Sequence, residues 1–146
     1  MNMIKGFTLI EVLIAMLLLA VGLLGLAGLQ ANSLRNTQSA YNRSLATELA
    51  YDLADRMRSN NSPVGLAIYV SMPPTNAVAQ VNCMTVSTNC TSDIMAQNDL
   101  YQWNLEVNSY LPSGTGTIAF LASVYTITVS WNDGATNLSF ATSFTL

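Results

Sequence analysis

"KGFTLIEVLIAMLLLAVGLLGLAGLQ", residues 5–30, decides how the rest of the chain is read. From Phe7 to Leu29 the run would rise about 35 Å as a helix, enough to cross a bilayer. An ordinary secretory signal fits poorly. Its apolar core spans about 7–15 residues and closes on a small-residue cleavage site, whereas here the run from Val12 to Leu29 is longer and no A-x-A pattern follows it. A membrane-spanning helix is the better reading, and it leaves one residue to explain. Glu11 stands inside the run, and an ionised acid at the centre of a membrane helix costs about 3 kcal/mol or more.

The helical pattern continues past the apolar run. Between Gln30 and Ser59 there is no proline or glycine, and Leu34, Tyr41, Leu45, Leu49, Leu53 and Met57 recur largely at four-residue steps. Arg35, Arg43, Asp52 and Arg56 lie off that line, which makes this half amphipathic. The pattern predicts one helix from Phe7 to Ser59, apolar all round at first and one-sided later, ending at "SNNSPVG". Within it Gly22, Gly25 and Gly28 each cost about 1 kcal/mol against alanine. Close packing on another membrane helix is one account of them; a planned weak point in the helix is another.

Composition narrows the chemistry. The 146 residues allow one ordinary domain besides the apolar head. Histidine is absent, which removes Ser-His-Asp triads, Cys-His dyads and imidazole metal sites. Cys83 and Cys90 lie in a Thr/Ser/Asn-rich stretch downstream of an export-type head, so a disulfide is favoured over two separate loop thiols. Closing so short a loop is worth roughly 2–3 kcal/mol by chain entropy.

The head resembles the class III signal of type IV prepilins: a short basic leader ending in Gly6, then Phe7, then Glu11 as the fifth residue of the mature chain. The resemblance implies a leader over residues 1–6, cut between Gly6 and Phe7 by a prepilin peptidase, N-methylation of Phe7, and assembly through the apolar helix. The cut leaves the apolar run in the mature chain and creates an amine one turn from Glu11. An acid in the first turn of a helix is favoured by roughly 0.3–1 kcal/mol. In a filament Glu11 could instead meet a neighbour's Phe7 amine, which makes it an assembly and register residue. The family's filaments have an unwound stretch near this level, and its major pilins commonly carry proline near the position of Gly28, which this chain lacks. Before cleavage Lys5 orients the helix with the leader in the cytoplasm and the rest in the periplasm. The implied division is 1–6 leader, 7–29 transmembrane and assembly half, 30–59 amphipathic half on the globular part, and 60–146 periplasmic globular part.

That globular part reads as follows. "VGLAIYVSM" after Pro63 is a strand or a packed loop, ended by "PPTN". Ala96, Leu100, Trp103, Val107 and Leu111 share one face of a second helix, with Thr91 or Ser92 as N-cap and Asp93 in its first turn. Tyr125, Ile127, Val129 and Trp131 alternate with polar residues, as do Leu138, Phe140 and Phe144 after "NDGATN". This is a β-hairpin. An earlier strand near Thr117–Leu121 would complete a three-stranded antiparallel sheet, covered by Leu45, Leu49, Leu53 and Met57 of the long helix. The fold class is α+β, and it matches the pilin fold that the resemblance implies. Trp103 and Trp131 are expected in the core.

"LAYDLADRMRSN" (residues 49–60) and "CTSDIMAQNDLYQWNLEVNSYLPSGTGTI" (residues 90–118) further resemble the PilV group of minor pilins, the type IV pilus modification proteins. Members act by assembly, alongside other minor pilins and the major pilin, on an inner-membrane platform, and move from the inner membrane to the pilus and cell surface. They support pilus priming and extension, hence twitching motility and adhesion. Asp55, Arg56 and Arg58 are then either a solvated helix end, where cations suit the dipole, or a polar contact to a neighbouring pilin. The resemblance implies no cofactor, metal or small-molecule substrate. Three competing readings stand beside it. A type II secretion pseudopilin has the same head and fold. A DNA-uptake pilin calls for a basic stripe, whereas loss of Lys5 leaves four Lys and Arg against eight Asp and Glu. A membrane-anchored enzyme would have to use Asp93, Asp99, Glu106 or Asp133, whose contexts are helix cap, exposed face or turn.

Overall fold

The computed structural model describes residues 6–85 and 89–146. The elements are α1 (Leu9–Ser59), α2 (Pro63–Ser71), two single 3-10 turns (Pro74–Asn76 and Val81–Cys83), α3 (Ser92–Tyr110), β1 (Thr115–Leu121), β2 (Val124–Asp133) and β3 (Thr136–Phe144). The chain divides into two compact units, one ending at Ser39 and the other Ala40–Leu146.

In the first unit α1 begins at Leu9 rather than Phe7, because the Thr8 carbonyl accepts the first helical bonds, from the Glu11 and Val12 amides at 3.1 and 3.3 Å. Every residue from Gly6 to Gln38 is exposed. The helix runs unbroken through Gly22, Gly25 and Gly28, and a Cβ built on any of them would meet nothing within 4 Å. No contact within this chain requires glycine there.

The second unit is built on the later part of α1. Burial starts at Asn42 and repeats through Ala46, Leu49, Ala50, Leu53, Ala54 and Met57. Leu34 and Tyr41, which continue the apolar line in sequence, are exposed, and Leu45 is only partly buried. What the leucine periodicity did not reveal is the row Ala46, Ala50, Ala54, all fully buried. Residues four apart lie on one face, and side chains this small let α1 be approached closely.

Two elements pack on it. α3 is the expected second helix, and all five of its face residues, Ala96, Leu100, Trp103, Val107 and Leu111, are buried. The sheet has the order β1-β2-β3 and is antiparallel throughout. Its central strand carries Tyr125, Ile127, Val129 and Trp131 into the core in strict alternation. β1 starts two residues earlier than its apolar residues indicate, at Thr115, since Thr115 and Gly116 already pair with Ser130 and Val129.

Residues 63–71 form neither a strand nor a packed loop. They form α2, with Ser62 as N-cap accepting from the Gly65 amide at 3.1 Å and Pro63 in the first turn. Ser-Pro is a start signal for a helix; the β-branched apolar run that follows obscured it. α2 sends Tyr69 into the core.

At the centre the indole N–H of Trp103 donates to the carbonyl of Leu49 at 2.8 Å, fully buried. Gly116 of β1 lies flat on the same ring, and a Cβ there would come within 2.2 Å of Trp103 Cη2. A ring held by core packing and a hydrogen bond cannot move aside cheaply. Gly116→Ala should therefore destabilise the protein by about 1–3 kcal/mol, measured as a lowered midpoint of thermal unfolding by circular dichroism in detergent. Ser139→Ala on the exposed side of β3 should leave the midpoint unchanged.

Candidate functional site

At the N-terminal end, Gly6, Phe7 and Thr8 precede α1 and are exposed, Phe7 to 83%. Glu11 lies in the first turn, where the helix dipole favours an acid. Phe7 and Glu11 share the lining of a shallow hollow with Val12, Ala15, Met16 and Leu19. Of the leader expected over residues 1–6, only Gly6 is among the described residues. The Gly6–Phe7 bond lies in exposed, non-helical chain.

A second group of polar residues lies at the far end of α1 within residues 40–146. Arg56 is half-buried: its Nε donates to Asp52 Oδ2 of α1 at 2.8 Å, and it engages α3 through Nη1, which donates to Gln102 Oε1 at 3.1 Å, and Nη2, which lies 3.4 Å from Glu106 Oε1. Asp99 Oδ1 is 3.8 Å from Nη1, and its other oxygen accepts the Tyr69 hydroxyl. Burial pushes the Asp99 carboxyl above its ordinary value, and the Tyr69 bond and the Arg56 charge only partly oppose it. Burial, with the Asp99 bond, holds the Tyr69 proton more firmly than usual. Beside these groups lies an open cleft of about 290 Å³, reaching Asn60, Cys90 and Ser92.

Arg56 therefore has partners inside the chain; its i,i+4 pairing with Asp52 follows from helical spacing, whereas the sequence reading did not anticipate its partners on α3, Asp99, Gln102 and Glu106. Asp99 and Glu106 are members of an ion network rather than residues of a solvated face. The signal was present: Asp99, Gln102 and Glu106 form a polar stripe at helical spacing beside the buried face of α3. Asp55 and Arg58 differ from Arg56. They are exposed and pair with each other at 2.6 Å, and the Arg58 guanidinium lies 4.9 Å over the Phe144 ring.

Cys83 and Cys90 form a disulfide, which ties the Val81–Cys83 turn to the residue preceding the α3 cap. Asn60 holds the same start of α3, donating from Nδ2 to the Ser92 carbonyl at 2.7 Å. Thr91 occupies the N-cap position, but its hydroxyl bonds Asp93 at 2.5 Å and not a helix amide. That bond lowers the Asp93 carboxyl below its ordinary range.

Comparison with known families matches residues 28–101, about half of the chain, to the Tt1218-like model, described as type IV pilin Tt1218. The chain belongs to the Tt1218-like type IV pilin family. Residues 1–27 match the prokaryotic N-terminal methylation motif. No curated protein matches the chain, and no solved structure does. Membership gives the α+β architecture its name, the pilin fold, and gives the protein the general role of a type IV pilin, structural and not enzymatic. The first half of α1 is long and apolar enough to cross a membrane, consistent with a membrane-anchored pilin. Among the described residues no group of three or more His, Cys, Asp or Glu could hold a metal ion.

The Asp99 geometry sets a pH dependence. A carboxyl whose native value is raised binds its proton more tightly folded than unfolded. Its stabilisation is then complete below the ordinary value of 3.8 and is lost as pH rises through the native value. Wild type should lose stability relative to Asp99→Asn over that rise, read from thermal midpoints across a pH series. A constant difference would show that Asp99 titrates normally.

Proposed function

We propose that this pilin is a minor, low-abundance subunit of the PilV kind, processed by a prepilin peptidase and acting in the priming, assembly and extension of type IV pili. Twitching motility and adhesion follow from that role. The observation that carries the reading is the combination of the methylation motif over residues 1–27 with the apolar α1 surface from Leu9 to Leu29, which is exposed throughout among the described residues. So much exposed apolar helix must be buried in lipid or against other helices.

On this reading the six-residue leader is removed between Gly6 and Phe7, Phe7 is methylated, and its amine faces Glu11 of its own or a neighbouring chain. Residues 7–29 hold the subunit in the inner membrane, with the globular part in the periplasm, until assembly carries it to the pilus and cell surface. Its partners are the peptidase, the assembly platform, other minor pilins and the major pilin, with no small-molecule substrate and no nucleic acid. Gly22, Gly25 and Gly28 supply either close helix packing or a site of unwinding on assembly. Asp55 and Arg58, an exposed pair at the end of α1, offer the polar contact to a neighbouring pilin, whereas Arg56 is engaged within the chain.

A type II secretion pseudopilin shares every one of these features, so the test must separate the two systems. Mass spectrometry of sheared surface pili should find this subunit beginning at a methylated Phe7, and deletion of the gene should reduce surface pili while secreted enzymes persist. Absence from pili together with a secretion defect would instead assign the protein to the secretion system.

A further inference from the structure

β3 is the last strand of the sheet, and its β2 side is paired one-to-one from Thr136 to Phe144 without a bulge. On its other side no strand lies among the described residues. Among the described residues, none of the backbone hydrogen bonds made outside the helices and the sheet involves residues 136–144. Proteins usually blunt such an edge with charge, proline or a bulge, because unpaired backbone groups are a template for another strand. "TNLSFATSF" contains none of these.

The side chains are incomplete in the same direction. Where β2 buries Tyr125, Ile127, Val129 and Trp131, the matching residues of β3, Leu138, Phe140 and Phe144, are only partly buried. At the opposite edge the Met72–Pro73–Pro74 segment flanks only the start of β1, across a groove of about 350 Å³; Ala119, Phe120 and Leu121 beyond it are exposed.

We propose that the free edge of β3 accepts an uncharged, extended edge strand of a neighbouring pilin, which extends the sheet and covers the apolar row begun by Leu138 and Phe140. Backbone hydrogen bonding fixes the occupant as an extended strand. Polarity narrows it further. Two copies pairing β3 to β3 antiparallel would be related by an axis normal to the sheet, which would reverse the partner's α1. This inference rests on the pilin reading, in which all subunits enter from one membrane in one orientation. β1 and β3 run in the same direction, each antiparallel to β2. A like-oriented neighbour presenting its own first strand therefore meets β3 in parallel, a heterologous contact of the kind that builds open helical assemblies.

The test places a photo-crosslinking amino acid at Ala141, exposed on β3, in the full-length chain in piliated cells, with crosslinked peptides identified from sheared pili. The expected result is an adduct between β3 and a strand of another pilin. Ser139→Lys should abolish it, and Ala135→Lys in the adjacent turn should not. Presence of the subunit in pili with no β3 adduct, or with adducts to a neighbour's helix alone, would overturn the proposal. So would an adduct indifferent to Ser139→Lys in a chain whose circular dichroism is unchanged. Absence of the subunit from pili would overturn the assembly reading, and this proposal with it.

Discussion

The bond from the Trp103 indole to the Leu49 carbonyl is the point on which residues 40–146 converge. It joins α3 to α1, and Gly116 brings β1 flat against the same ring. The approach is close because α1 presents Ala46, Ala50 and Ala54 between its larger apolar residues. Those alanines add little apolar area themselves, but they admit Trp103, Trp131 and the β2 row to full burial, and large buried side chains dominate core energetics. At the rim, Arg56 joins α1 to α3 through ion pairs and hydrogen bonds.

The same helix has a different problem in its first half. From Leu9 to Leu29 its side chains are apolar but for Glu11, and they are exposed on every side. None of the described residues offsets that exposure, so on the proposed reading the first half of α1 is covered by lipid before assembly and by other pilin helices after it. A structural protein of this kind needs no catalytic residue. On the proposed reading it needs a covered face, an uncovered helix, and one polar group, Glu11, to fix how uncovered helices align.

Most of the fold was legible because it is written in periodicity. The α3 face and the β2 alternation each repeat an apolar residue at the period of the element, and every residue so predicted is buried. Three features were less legible, each for a physical reason. α2 was masked because a short apolar run carries no period of its own, and only the Ser62–Pro63 start distinguishes it. The alanine row was missed because small residues are compatible with either face of a helix. The inward turn of Arg56 was missed because a cation near a helix C-terminus suits solvent and dipole equally well; only the acids of α3, distant in sequence, decide its direction. At the N-terminal site the residues were legible as a motif, while the roles proposed for Glu11 and for the three glycines concern several chains and leave no mark within one.

Glu11 is the one charged residue between Leu9 and Leu29 and the proposed handle on that apolar helix. Its most direct test is competition: wild-type and Glu11→Ala subunits, co-expressed at equal levels and each shown to be inserted and cut at Phe7, with their ratio in sheared pili measured by mass spectrometry. If the carboxylate sets the register against a Phe7 amine, the variant is strongly depleted from pili relative to the membrane pool. Equal ratios in pili and membrane would contradict the account.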